Sequence, residues 1–196
     1  MRRALLWFLL GATAAAHGET ADRNKPIQVE AQKGSYNDLK QAGVFSGNVI
    51  VTKGTIRVTG ERLELRKDPE GYEYAVVTAA VGQLARFRQR RDASKPGAEE
   101  YIEGLAERIE YDGRAETIKL VTRAQLIRLE NDQQRDELRG SLITYDSRST
   151  EYNVDSGNSA GSDGRVRAII APRNPAPAPG EAAPLKRAPS VEPPPR

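Results

Sequence analysis

The residues able to do chemistry are few, and their types exclude more than they offer. The sequence has no cysteine and a single histidine, His17. Thiol nucleophiles and cysteine–metal sites are excluded, and His17 stands at the end of an apolar leader. Cleavage after Gly18 would remove the commonest general base and the commonest metal ligand together. No phosphate-cradling glycine loop and no serine-centred nucleophile elbow occurs. Carboxylates are plentiful, but Glu61, Glu64, Glu107 and Glu110 alternate with apolar residues. That places them on the solvated side of strands. Asp112 and Asp146 each follow a tyrosine of a repeat. Such recurrence fits turn chemistry, in which an Asp side chain accepts bonds from nearby backbone. The densest cationic run is Arg86-Phe87-Arg88-Gln89-Arg90-Arg91. It could meet phosphates of an amphiphilic ligand; more simply, it is a solvated hairpin end that blocks unwanted edge pairing. No catalytic or metal site emerges.

The elements that must position these residues are strands, and they repeat. Phe45-Ser-Gly47-Asn-Val49-Ile-Val51 runs into Ile56-Arg-Val58-Thr-Gly60-Glu-Arg-Leu63-Glu-Leu65. Later Leu120-Val-Thr122-Arg-Ala124-Gln-Leu126 runs into Leu138-Arg-Gly140-Ser-Leu-Ile143-Thr-Tyr145. A third copy of the second half spans Ile102 to Asp112. Repeats define an architecture before any single residue does; these imply stacked β-hairpins with one apolar face. In each copy the apolar positions change parity, between Gly60 and Leu63, Ala106 and Ile109, and Gly140 and Ile143. A bulge that bends one strand around a corner would do this, and so would independent hairpin turns.

Ile27 to Glu30 opens the first strand, and Lys33-Gly34 and Asp38 to Lys40 read as turns. A strand over Val44–Val51 turns at Thr52-Lys53-Gly54 into Thr55–Thr59, and Leu63–Leu65 continues the meander. Tyr74–Val81 and Gln83–Arg88 follow as strands, then a polar hairpin loop from Arg90 to Glu100. Four strand-length segments come next: Ile102–Ala106, Arg108–Tyr111, Thr117–Val121 and Ala124–Leu129. Glu130–Glu137 fits a helical turn or a long hairpin. Leu138–Tyr145, Glu151–Val154 and Val166–Ile170 complete the strands.

The ends differ in kind. Arg2-Arg3, the apolar run Ala4–Ala16 and Ala16-His17-Gly18 form a secretory signal over residues 1–18. The run is about two-thirds the length of a membrane span, which disfavours an uncleaved anchor. Residues 19–25 are polar and expected to be flexible. Residues 174–196 are proline-rich and expected to be disordered. The folded unit is expected over 26–173. Of 30 basic and 27 acidic side chains, Arg2 and Arg3 lie in the leader, and four basic and two acidic ones lie in 171–196. The remaining 24 against 25 leave the folded part near neutral, which argues against nucleic acid as a partner.

With these residues set out, the chain resembles the LptA/OstA-like family of periplasmic lipopolysaccharide-transport proteins. The resemblance rests on Phe45–Val58 with Glu61–Leu65, on the Glu107–Asp112 and Ile143–Tyr145 copies, and on the ending Gly164–Arg173. It covers roughly Pro26 to Arg173. It implies an all-β fold: an antiparallel β-jelly roll, slightly twisted and open along one side. It implies no enzyme and no cofactor, but a periplasmic bridge protein, exported by a cleaved signal peptide. Such a protein carries lipopolysaccharide from the inner to the outer membrane with the lipid A acyl chains in an apolar groove. An inner-membrane-anchored, LptC-like partner would pair with the N-terminal edge and an outer-membrane, LptD-like partner with the C-terminal edge. The same strand addition permits an end-to-end homo-oligomer. The implied lipid-binding residues are Ile27, Val29, Phe45, Val49, Val51, Val58, Leu63, Phe87, Ile109, Tyr111, Leu120 and Tyr145. Composition alone does not separate a lipid slot from a packed core. Two alternatives therefore stand beside this reading: a periplasmic scaffold that binds only proteins by strand addition, and a glycan-acting enzyme. The enzyme would need an inward carboxylate pair, which the strand parity does not supply.

Overall fold

The computed structural model describes residues 19–93, 97–157 and 164–172. The expected signal (1–18) and proline-rich tail (174–196) lie outside the described residues. One helical turn, α1 (Glu19–Asp22), precedes twelve strands: β1 (Gln28–Glu30), β2 (Lys33–Asn37), β3 (Ala42–Lys53), β4 (Ile56–Lys67), β5 (Glu73–Thr78), β6 (Ala85–Arg90), β7 (Glu100–Ala106), β8 (Arg108–Asp112), β9 (Thr117–Glu130), β10 (Gln133–Asp146), β11 (Glu151–Asp155) and β12 (Arg167–Ile170). Every pairing is antiparallel.

The sheet is folded along a crease into two leaves. The C-terminal half of β3 pairs with β1 and with the start of β4, while its N-terminal half pairs with β2 and the end of β4. β4 joins β6 through Arg57–Thr59 and β5 through Arg62–Lys67. β9 joins β8 through Thr117–Val121 and β7 through Gln125–Glu130. β10 joins β12 in its first half and β11 in its second. The first leaf therefore runs β1-β3-β4-β6-β7-β9-β10-β12, and the second runs β2-β3-β4-β5-β8-β9-β10-β11. The four long strands belong to both. This is an antiparallel jelly roll, closed at the crease and open along the opposite side.

The crease decides between the two explanations of the parity shift. The β3–β4 register slips between Ser46↔Arg62 and Val49↔Gly60, and the β9–β10 register slips between Val121↔Leu142 and Ala124↔Gly140. Each slip is one extra residue on the first strand of its hairpin, a bulge that bends and twists the strand. The bulged pairs, Gly47-Asn48 and Thr122-Arg123, all have positive φ (83° and 48°, 66° and 53°). They are the positions the sequence repeat matches. Opposite the bulges the partner strands need small residues. A Cβ on Gly60 would lie 2.5 Å from Val77 Cγ1, and one on Gly140 would lie 2.6 Å from the Asp155 carbonyl oxygen. The third copy has the fully buried Ala106 there.

Several sequence expectations change. Lys33-Gly34 is not a turn; both residues belong to β2 and pair with Ser46 and Phe45. A Cβ on Gly34 would sit 2.6 Å from the Phe45 ring, so this glycine serves close approach. The β3–β4 turn is Gly54-Thr55, leaving Thr52 and Lys53 in the strand. Leu63–Leu65 is the second half of β4, and Thr117–Val121 and Ala124–Leu129 are one strand, β9. The stretch Glu130–Glu137 is a tight hairpin whose turn residues, Asn131 and Asp132, both have positive φ. The edge-blocking role of the arginine run fails, because β6 lies inside the sheet between β4 and β7. Asp112 and Asp146 do act at turns. Asp112 Oδ1 accepts from the backbone N–H of Arg114 and Ala115 (2.9 and 2.8 Å). Asp146 Oδ1 accepts from those of Arg148 and Ser149 (2.8 and 3.1 Å). These bonds, Ser149's first, hold the Asp146 carboxyl below its ordinary pKa.

Substituting Gly60→Ala or Gly140→Ala should each cost about 1–3 kcal/mol by overpacking the crease. Urea midpoints check this; midpoints equal to wild type would show that the crease can spread.

Candidate functional site

The interior is a wedge, packed at the crease and loose at the mouth. Next to the crease, Val49, Leu63, Ile102, Ala106, Leu120 and Ile143 are at most 1% exposed. Further out, the two leaves face each other across an apolar cavity of about 30 Å³. Val51, Lys53, Ile56, Val58 and Phe87 line it from the first leaf, and Ala75, Val77, Ile109, Tyr111 and Ile118 from the second. Ile27, just before β1, completes it. Strand alternation aims these residues inward from both leaves.

Of the twelve residues implied as lipid-binding, eight belong to one buried hydrophobic cluster, and Ile27, Val29, Phe45 and Tyr111 pack against it. Six of them line the cavity: Ile27, Val51, Val58, Phe87, Ile109 and Tyr111. Val49, Leu63 and Leu120 are buried nearer the crease, while Tyr145 is buried at the level of Ile118 and Tyr111 and stacks on Tyr152 at 5.0 Å. Val29 and Phe45 are partly buried against the cluster from the N-terminal strands. Sequence reasoning did not single out Ile56, Ala75, Val77 or Ile118 as site residues, although each holds the inward parity of its strand. Lys53 is the larger omission.

Among the described residues, Lys53 is the one charged residue lining the cavity. It is buried at the outer end of β3, and its Nζ lies 2.6 Å from Glu73 Oε2 on β5. The ammonium also sits 5.9 Å from the Tyr111 ring centroid. A charged link thus joins the two leaves at the mouth. Next to it Asp22, 3% exposed, accepts from the Thr55 backbone N–H (2.6 Å), the Thr55 hydroxyl (2.6 Å) and Gln89 Nε2 (3.1 Å). The segment expected to be mobile is tied down at this point. Burial raises the Tyr111 phenol pKa to about 12, and the carboxylates of Glu73, Glu116, Asp112 and Asp22 push the same way. Among the described residues no three His, Cys, Asp or Glu side chains gather to hold a metal ion.

The arginine run divides by face. Phe87 and Gln89 point inward and are buried. Arg86 and Arg88 point outward onto Glu103 of β7, and Arg88 also stacks over Tyr101 at 4.2 Å. Arg90 pairs with Glu99 at 3.5 Å. These arginines stabilise the outer face and do not line the cavity.

The family model of the LptA/(LptD N-terminal domain) LPS transport proteins matches residues 28–151. The chain belongs to that family. The lipopolysaccharide export system protein LptA of Escherichia coli (strain K12) is 30% identical over 137 residues, covering 70% of this chain and 68% of that protein. Lipopolysaccharide export system protein LptH of Pseudomonas aeruginosa is 29% identical over 175 residues, covering 84% and 93%. The crystal structure of LptH, the LptA homologous periplasmic component of the lipopolysaccharide transport device of that organism, superposes with a TM-score of 0.63. At 21% identity it covers 77% of this chain and 99% of that one, and the likeness is one of fold. The family match ends within β11, so the crease and the Lys53–Glu73 link fall inside it, while Asp22 and Ile27 precede it.

The neutral phenol of Tyr111 is the form the fold favours. Its contribution is intact below the unfolded value near pH 10 and is lost as pH rises toward 12. Tyr111→Phe should remove a loss on the order of 2 kcal/mol across that interval. Denaturant midpoints measured between pH 9 and about 12 would reveal it; parallel curves for wild type and variant would contradict it.

Proposed function

We propose that the protein shields the acyl chains of lipopolysaccharide between its two leaves and serves as a periplasmic bridge from the inner to the outer membrane. The observation that carries this reading is the cavity between the leaves on the open side, apolar except for Lys53 and the Tyr111 hydroxyl. Burying hydrocarbon is worth about 0.8 kcal/mol per CH₂, so a chain of about twelve carbons gains roughly 10 kcal/mol on leaving water. An interior of this kind lowers the cost of crossing an aqueous gap. It supplies no direction, and no bond is made or broken.

The free space between the closed leaves is small, and in this reading the leaves part at the mouth to admit an acyl chain. The crease permits this motion, because packing is tightest there and slackens outward. The small volume also favours the second reading, a scaffold that binds only proteins and never opens. Lipid uptake separates the two.

Partner pairing fits the sheet edges. β1 and β2 pair only with β3, and β11 and β12 only with β10, among the described residues. In this reading the β1–β2 edge receives the LptC-like inner-membrane partner and the β11–β12 edge the LptD-like outer-membrane partner. End-to-end copies of the chain would use the same two edges. Residues 1–18 act as the export signal, 26–173 as the jelly roll, and 174–196 as a tail outside it.

A photoreactive p-benzoylphenylalanine at Tyr111 should crosslink to lipopolysaccharide, while one at the outward Glu64 should not. Crosslinks from neither position, in folded protein, would favour the scaffold.

A further inference from the structure

Two consecutive residues of the N-terminal segment are anchored to opposite leaves. Asp22 is held by Thr55 in the β3–β4 turn and by Gln89 of β6, both in the first leaf. Arg23 Nη2 lies 2.8 Å from Glu116 Oε2 in the β8–β9 turn, in the second leaf. Adjacent Cα atoms are about 3.8 Å apart, so anchors on both sides draw the leaves together at this level. The Lys25 N–H donates to the Asp22 carbonyl at 3.1 Å, which folds the segment into a turn. Two residues further on, Ile27 enters the cavity wall. The segment therefore spans the open side of the wedge directly over the apolar cavity, beside the Lys53–Glu73 link.

We propose that residues 19–25 form a strap across the mouth, which must leave Glu116 before an acyl chain can enter. The inference rests on the acyl-binding reading and gives it a gate. The two anchors differ in strength. The Asp22 carboxylate is buried and accepts three hydrogen bonds, the strong charge-assisted kind. The Arg23 side chain is 49% exposed and that of Glu116 22%, so this single ion pair is partly open to solvent and weakened by salt. The strap is thus hinged at Asp22 and latched at Arg23. Release of the latch frees the second leaf while the first keeps its hold. Because β1 follows Ile27 at once, a strand added at the N-terminal edge would lie next to the hinge.

The test measures uptake of a dansyl-labelled undecanoate by the purified protein in stopped flow. Arg23→Glu, which sets two carboxylates against each other, should raise the association rate about threefold to fivefold, the ratio a single partly exposed ion pair can set. The exchanged pair Arg23→Glu with Glu116→Arg should restore the wild-type rate. The chain has no native cysteine, so Arg23→Cys with Glu116→Cys can be joined by a flexible bis-maleimide without side reactions. Joined protein should lose uptake at least about tenfold against the same protein unjoined. Circular dichroism and the urea midpoint confirm folding of each variant. Equal rates in wild-type, charge-reversed and joined protein would overturn the strap alone. Failure of every folded variant to take up the probe would overturn the acyl-binding reading, and the strap with it.

Discussion

Strands of 12 and 14 residues, laid flat, would enclose nothing. Here each long hairpin turns a corner at one level, and everything else in the molecule follows from that bend. The corner requires an extra residue on one strand and a small residue on its partner. Gly47-Asn48 with Gly60 supplies this at one side of the sheet, and Thr122-Arg123 with Gly140 at the other. Between them β7 and β8 break at Glu107, whose N–H donates to the Thr122 carbonyl while its carbonyl accepts from Ala79. The ladder is thus carried through the bend. Arg123 reinforces it, with Nε 2.8 Å from Glu107 Oε1 and Nη2 3.0 Å from the Gln83 carbonyl oxygen.

A creased sheet is a wedge, and a wedge has a packing gradient. Side chains from both leaves interlock near the crease and separate toward the mouth. The apolar cavity forms where contact begins to fail, and the mouth is where charges bridge the leaves. Lys53–Glu73 and the Asp22-Arg23 anchors occupy that rim. Their placement links stability with function. In the proposed function the crease holds the fold while the rim opens, so widening the mouth need not unfold the protein. A parallel-walled sandwich, packed evenly throughout, would offer no such division.

The crease was legible in the sequence as a change of apolar parity at Gly60, Ala106 and Gly140, because side-chain direction has a strict period of two. Whether the strand continued through it was not legible. A bulge and a hairpin turn both call for positive φ, and Gly47-Asn48 satisfies either. Gly34 misled for a related reason: its missing side chain accommodates the Phe45 ring and makes no turn. Inward parity marked the interior set as apolar, but the choice of Phe87, Ile109 and Tyr111 as ligand positions came from the family resemblance. The rim was hidden, since Lys53 meets Glu73 and Asp22 meets Thr55 across long sequence separations that no local pattern encodes. Family resemblance supplied the jelly roll and the kind of ligand, but not the strap.

The central claim is that the leaves part at the mouth while the crease stays fixed. Spin labels at Arg57 and Arg114 report the mouth, and labels at Arg62 and Arg86 report the crease. Pulsed electron–electron distances should be measured with and without lipopolysaccharide. The account predicts a longer mouth distance with lipid and an unchanged crease distance. Lipid binding with both distances unchanged would contradict it.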